Sequence, residues 1–359
     1  MSQATPDAVA EAAAALDAHV HQVIRWHFSA ETGTPYWLDY AGKADWNPLE
    51  DVTSFQDLMR FPNFDGEALR KEPHARWVPK GFAGRPFTIF ETGGTTGMPK
   101  QRIGWDDYKH DYEEFSDSLD EDAFPRNGYW LMIGPTGPRR LRLAIEHLAN
   151  HRGSSCYFVD LDPRWVKKLI RAREFDQAKA YMAHVMDQAV SILENRSVDV
   201  LFTTPKLLEE LSERLSIPDA GIKGVFCGGT TMTPQNTRFL VEEVLEGRVG
   251  FVPTYGNTLM GLAAHKPTLK DDGYSITYHA PQPRAALRVT DPDDSTKTVD
   301  YDAFGRVELT TLTKEFFMPR FLERDEGVRR RPCSWYPWDG VGEVRPFGAQ
   351  KATIVEGVY

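Results

Sequence analysis

Residues 90–102 read FETGGTTGMPKQR. Gly93, Gly94 and Gly97 can adopt positive φ and let a ligand approach the backbone closely. Thr92, Thr95 and Thr96 add hydroxyl groups, and Lys100 adds a cation. An N–H-rich concavity of this make-up suits a polyphosphate. It is not the GxxxxGK[ST] loop, because Lys100 follows Pro99 and no Ser or Thr comes next.

Downstream of this loop the chain has a regular rhythm. Apolar runs at 129–134, 155–160, 198–203, 222–227 and 249–254 are strand-sized. Helical stretches separate them, at about 139–151, 164–195, 205–215 and 234–246. Pro163, Pro205 and Pro234 stand where helices begin, where a missing N–H costs nothing. Near-continuous apolar strands alternating with helices predict a parallel sheet covered on both faces. Such sheets bind ligands beyond the carboxyl ends of their strands.

Beyond residue 265 the pattern changes. Runs at 274–279, 285–290, 297–301 and 305–312 are short, turn-separated and rich in Thr, Val and Tyr. They predict antiparallel β structure, with an irregular tail over 326–350. Upstream, residues 5–28 read as an amphipathic helix, and 29–86 as an irregular apron rich in Pro, Gly and aromatics. The expected fold is α/β: mostly parallel sheet flanked by helices, plus a small antiparallel β subdomain. The expected divisions are an apron over 1–86, an α/β ligand-binding core over 87–265, and a β subdomain with tail over 266–359.

Composition removes several classes of function. The 359 residues carry a formal charge of −10, which argues against a nucleic-acid partner. No apolar run approaches the roughly 18 residues of a membrane-spanning helix. The N-terminus lacks the basic region of a secretory signal. Cys156, Cys227 and Cys333 are too few and too scattered for a disulfide framework or a CxxC zinc site, which fits a reducing cytoplasm. The aromatic residues, 12% of the chain, offer rings for a flat ligand; Tyr129, Trp130, Phe202, Phe226 and Tyr255 are candidates.

The string GGTTGMPK resembles the S/T-G-T-T-G-x-P-K phosphate-binding loop of the adenylate-forming superfamily, which includes acyl- and aryl-CoA ligases, peptide-synthetase adenylation domains and luciferases. Three further segments match in order. Phe226-Cys227-Gly228-Gly229-Thr230 resembles the Gly-Gly turn that passes the adenine. Tyr255-Gly256-Asn257-Thr258 resembles the Y-G-x-T-E motif beside the adenine and α-phosphate. Residues 305–311 and 319–325 resemble the G-E-L…P-L-I-R-Y-R-T-G-D region of phenylacetate-CoA ligases. Thr34-Pro35-Tyr36-Trp37 and TLTKEFFMPRFLERDEG (311–327) are similar to the short adenylation proteins of phenazine antibiotic biosynthesis.

The resemblance implies ATP-dependent activation of an aromatic or heteroaromatic carboxylic acid, yielding an acyl-AMP and pyrophosphate, with ATP and Mg²⁺ as cofactors. It implies catalytic roles for Lys100 and Thr96. Nucleotide contacts fall to Thr92, Gly93, Gly94, Thr95, Thr96, Gly97, Lys100, Gly228, Gly229, Thr230, Tyr255, Gly256, Asn257 and Thr258. Asp325 inherits the grip on the ribose hydroxyls. Contacts to the acid fall to Phe226, Cys227, Tyr255 and Gly256. A downstream enzyme that accepts the adenylate is the expected partner, and a homodimer the default assembly.

Two departures stand out. Leu259 replaces the motif's Glu, which leaves the Mg²⁺ ligand unknown; Thr96 is one candidate and Glu308 a poorer one. The chain also ends soon after Asp325, so the family's mobile C-terminal domain is expected to be absent, and Lys351 is not assigned that domain's catalytic role. Three alternative functions stay open: an aryl-CoA ligase using a partner's domain in trans, nitrite activation for diazotisation, and a nucleotide-binding protein without turnover.

Overall fold

A computed structural model describes residues 3–93, 98–228, 231–267 and 269–348. Helix α1 (Pro6–Phe28) opens the chain, with the Thr5 side chain accepting from the Ala8 N–H and Pro6 in the first turn. It buries Leu16, Val20, Val23, Ile24 and Phe28, one apolar stripe at helical spacing. The apron is more ordered than its composition suggests. It forms short helices α2 (Pro35–Ala41), α3 (Pro48–Asp51) and α4 (Ala68–Lys71), the first two starting at proline. Trp37 and Phe61 pack on Phe317, with ring centroids 5.0 and 5.7 Å away, so the apron clamps the C-terminal β structure.

The glycine-threonine loop joins β1 (Thr88–Glu91) to β2 (Gln101–Gly104), an antiparallel pair. Helix α5 (Asp107–Asp117) follows. The strand–helix rhythm then runs β3 (Trp130–Gly134), α6 (Arg140–His151), β4 (Cys156–Asp160), α7 (Pro163–Arg171), α8 (Phe175–Asn195), β5 (Val200–Thr203), α9 (Pro205–Ser212), β6 (Gly224–Gly228), α10 (Pro234–Phe239) and β7 (Gly250–Asn257). The strands lie in the order β4-β3-β5-β6-β7 and are parallel; β8 (Gly261–Ala264) adds one antiparallel edge.

Side chains alternate between the two faces of this sheet, as the pleat requires. Leu131, Ile133, Leu201, Val225 and Cys227 share a core with Leu207 and Leu208 of α9. Trp130, Met132, Phe202 and Phe226 share another with Tyr112 and Phe115 of α5 and Ile145 of α6. Burial on both faces explains why these strands read as unbroken apolar runs.

A second sheet holds five antiparallel strands in the order β10-β11-β12-β13-β9: β9 (Thr277–Tyr278), β10 (Ala285–Thr290), β11 (Phe304–Leu312), β12 (Phe317–Arg330) and β13 (Gly340–Pro346). The expected α/β fold with an antiparallel appendage is the observed one.

Three local expectations are corrected. The helix expected over 164–195 breaks at Ala172–Glu174, where Arg173 adopts φ +60°, and becomes α7 and α8. Residues 297–301 form no named strand; Thr298 makes only an isolated bridge to Thr290. The tail is irregular only in part: β12 continues to Arg330 and pairs with β13 (Gly340–Pro346), while residues 331–339 between them form no strand. Its strand pattern is hidden by charged residues that meet across the strands: Arg345 with Glu326 at 2.6 Å and Arg330 with Glu343 at 2.8 Å. No helix among the described residues is long and apolar enough to cross a membrane.

Candidate active site

A cavity of about 210 Å³ opens beyond the carboxyl ends of the parallel strands. Each strand delivers residues to it by where it stops. Pro135 and Pro138 follow β3, Thr204 follows β5, and Phe226 and Gly228 end β6. Gly256, Asn257 and Thr258 come from the end of β7, and Gly93 from the β1–β2 loop. Phe202 and Phe226 are apolar walls; their rings meet edge to face at 5.0 Å.

The ends of the glycine-threonine loop are tied together. The Thr92 N–H donates to the Lys100 carbonyl, and the Lys100 N–H to Thr92 Oγ1, both at 3.0 Å. Thr258 Oγ1 donates to the Glu91 carbonyl at 3.1 Å, which anchors the loop to the β7–β8 turn. Gly94, Thr95, Thr96, Gly97, Gly229 and Thr230 lie outside the described residues.

Lys100 Nζ sits 4.2 Å from the centroid of the Phe321 ring. Burial lowers its pKa, while the Glu323 carboxylate acts to raise it. Gly66 makes room for this side chain. A Cβ there would come within 2.7 Å of Lys100 Cε and 2.9 Å of the Phe321 ring.

Side chains of β7 and β12 pair across the junction of the two sheets. The Tyr255 hydroxyl donates to Asp325 Oδ2 at 2.7 Å, and Asn257 Nδ2 donates to Glu323 Oε1 at 2.7 Å. Burial raises the Asp325 carboxyl above the usual range, against the Tyr255 hydrogen bond. Burial and the neighbouring Asp325 charge push Glu323 up to about 7. Glu323 was not among the sequence candidates. Its signal was its position two residues before Asp325, a spacing that puts both on one face of a strand.

Asn257 also shapes the turn, its Oδ1 accepting from the N–H groups of Leu259 and Met260 at 2.9 and 2.8 Å. Leu259, which stands where a carboxylate was expected, is buried in the core. Its carbonyl accepts from Arg102 Nη1 at 2.7 Å and Thr311 Oγ1 at 2.9 Å. Glu308 is equally committed: its buried carboxylate lies 2.9 Å from Arg288 and 3.3 Å from Arg320. That pairing makes it a structural acid, not a free metal ligand. Glu91 lines the cavity with one carboxylate oxygen 2.9 Å from Arg164, and these contacts hold its pKa down.

The cavity's sequence candidates divide by face. Phe226 reaches the wall, whereas Cys227, the next residue, is buried in the core on the opposite face. Tyr255 joins Asp325 instead of lining the cavity. Trp130 is fully buried in the core, and Tyr129 is exposed at the surface.

The far end of the cavity, formed by Tyr112, Arg140, Gly261 and Leu262, was not anticipated. Behind it lies a buried charge network. Asp107 pairs with Arg102 and accepts from Arg140 at 3.2 Å; Asp111 accepts from Arg284 at 2.9 Å. Burial acts to raise Asp107, but the two arginines outweigh it and hold the carboxyl at about 2. At Asp111 burial wins over Arg284 and Arg140 and pushes the carboxyl up to about 6. The sequence clue was two acids four residues apart on α5, one helical face.

No protein-family model and no curated protein matches the sequence. Solved structures do. The chain is similar to an open conformation of 2-hydroxyisobutyryl-CoA ligase in complex with 2-HIB-AMP and CoA (TM-score 0.68, 15% identity, 96% of this chain and 71% of that chain). The same ligase in its thioesterification state gives a TM-score of 0.65 at 16% identity over 95% and 69% of the two chains. O-succinylbenzoate coenzyme A synthetase (MenE) from Bacillus subtilis, in complex with AMP, matches more distantly (TM-score 0.46, 13% identity, 73% and 49%). The first two establish the fold, that of the α/β domain of adenylate-forming ligases.

Proposed function

We propose that the protein activates a carboxylic acid with ATP, forming an acyl-adenylate and releasing pyrophosphate, and that the acid is aromatic or heteroaromatic. The observation that carries this reading is a convergence. The tied glycine-threonine loop and an apolar slot walled by Phe202 and Phe226 meet at the strand ends, and Tyr255, next to the slot-lining Gly256 on β7, pairs with Asp325. In the proposed reaction a carboxylate oxygen attacks the α-phosphorus of ATP, and the bond to the bridging oxygen breaks, so that pyrophosphate leaves. Reactions of this kind depend mainly on positioning and on stabilising negative charge.

Lys100 and the loop's N–H groups would hold the departing pyrophosphate. Asp325, oriented by Tyr255, would hold the ribose hydroxyls. The Gly228–Thr230 turn would pass the adenine, and the flat acid would lie against Phe226 and Phe202. Mg²⁺ takes oxygen ligands and would neutralise phosphate charge. Glu91, which lines the cavity, and Thr96 are the residues proposed to hold it.

The resemblance of residues 311–327 to phenazine adenylation proteins makes phenazine-type acids the first to try. The adenylate would pass to a downstream enzyme. The buried Leu259, in place of an acid, favours one second reading, a nucleotide-binding protein without turnover. A pyrophosphate-release screen over aromatic and heteroaromatic acids decides. Acid-dependent release supports adenylation; tight ATP binding with no release for any acid overturns it and leaves the second reading.

A further inference from the structure

Helices α5 and α6 bring three possible metal ligands together at the surface. His147 and His151 stand four residues apart on α6, a spacing that puts both on one helical face. Glu113 meets them from α5. One donor atom from each of the three side chains lies within 4.8 Å of the other two. Among the described residues no other set of histidine, cysteine or acidic side chains converges in this way. None of the three lines the cavity at the strand ends.

An ion pair accounts for two of these groups. His147 Nε2 donates to Glu113 Oε1 at 2.8 Å, a charge-assisted hydrogen bond. It does not account for His151, whose ring centroid lies 6.1 Å from that of His147. Two histidines at i and i+4 with a carboxylate are a zinc-type donor set. Ligands at about 2.0–2.2 Å from a tetrahedral ion sit roughly 3.4 Å apart, so His147 Nε2 and Glu113 Oε1 need to part only slightly. His110 Nδ1 lies 3.5 Å from the other oxygen, Glu113 Oε2, and steadies the carboxylate, as outer partners of metal ligands do.

We propose that Glu113, His147 and His151 form a Zn²⁺ site between α5 and α6. Three protein ligands leave one position of a tetrahedral ion for water, and the exposed His151 leaves solvent free to supply it. On loading, the ion takes the place of the proton between His147 Nε2 and Glu113, and the neutral ring keeps its own proton on Nδ1. The ion then ties together the two helices that carry Tyr112 and Arg140 to the far end of the cavity. The site does not depend on which reaction the cleft performs.

Full-length protein without a histidine tag, stripped with a chelator, is titrated with Zn²⁺ by calorimetry. One equivalent should bind and, at 100 times its Kd, raise Tm by about 3 °C or more. His147→Ala with His151→Ala should remove both the equivalent and the Tm rise, while the metal-free variant keeps the wild-type circular dichroism spectrum. His184→Ala, which removes an exposed histidine on α8, should leave both in place. If the double variant does not fold, Glu113→Gln decides: Zn²⁺ affinity should fall at least ten-fold, which loss of an outer partner alone can cost. The proposal is overturned by no binding, by a Tm that does not rise, by an equivalent that survives loss of both histidines or is lost in His184→Ala, or by unchanged affinity in Glu113→Gln.

Discussion

The Tyr255 hydroxyl donates a 2.7 Å hydrogen bond to Asp325, joining β7 of the parallel sheet to β12 of the second sheet. The bond orients the Asp325 carboxylate next to Gly256 and Asn257, the β7 residues that line the cavity. Tyr255→Phe removes the donor and leaves a buried carboxylate without it. A hydrogen bond to a charged group is worth about 1.5–3 kcal/mol, so nucleotide affinity should fall about ten-fold or more by calorimetry. Asp325→Ala should weaken it at least as much. Wild-type affinity in both variants would remove Asp325 from the nucleotide site.

Lys100 is the cation proposed to meet the pyrophosphate. Lys100→Ala should cut acid-dependent pyrophosphate release about 10²–10³-fold, with an unchanged circular dichroism spectrum. Gly66→Ala tests the same group from behind, since its Cβ would press on Lys100 Cε. It should lower the release rate, and the contact with the Phe321 ring should also lower Tm, which is read separately without ATP. An active Gly66→Ala enzyme would show that Lys100 can move without consequence.

Glu323 supplies a pH prediction. Its folded pKa of about 7 lies above the ordinary carboxylate value. The folded state therefore holds a proton that the unfolded chain releases first, and stability falls as pH rises from about 4.5 to about 7. Glu323→Gln cannot ionise. It should be more stable than the wild type at pH 8.5, on the order of 1 kcal/mol and read as a higher Tm, and match it at pH 4.5. A constant difference across that window would contradict the burial of the acid.

Glu308 separates structure from metal binding. Its carboxylate holds Arg288 and Arg320 in a buried cluster. Removing one partner of such a cluster costs about 3–5 kcal/mol, so Glu308→Ala should lower Tm markedly. The Mg²⁺ concentration for half-maximal pyrophosphate release should not change. A large shift in that concentration would restore Glu308 as a metal ligand.

Phe226 and Cys227 are neighbours on opposite faces of β6. Phe226→Ala should raise the KM for the acid about ten-fold or more and leave the KM for ATP near its original value, since apolar contact with the slot is lost. Cys227→Ala should leave both values alone and only loosen the core. Equal effects of the two on the acid would mean that the slot is not the acid's site.

The parallel sheet was legible because each strand is apolar on both faces, and because Pro163, Pro205 and Pro234 mark helix starts. All three occupy the first turn of a helix. The end of the chain was not. Strands β12 and β13 carry Arg330, Glu343, Arg345 and Glu326, whose charges cancel only when the strands pair. Arg173 is a break that helical spacing cannot show, because a left-handed residue leaves the apolar pattern on either side intact.

The sequence by itself determined the strand–helix rhythm and the order of the loop, the Gly-Gly turn, Tyr255 and Asp325, because these depend on local spacing and residue type. Only the tertiary structure decided which acids face the site. Glu308 looked available in the sequence, but two arginines close on it across the strands. Glu323 looked incidental, but burial beside Asp325 and Lys100 changes its chemistry. Distance along the chain says nothing about such meetings; the pairing and packing of the sheets do.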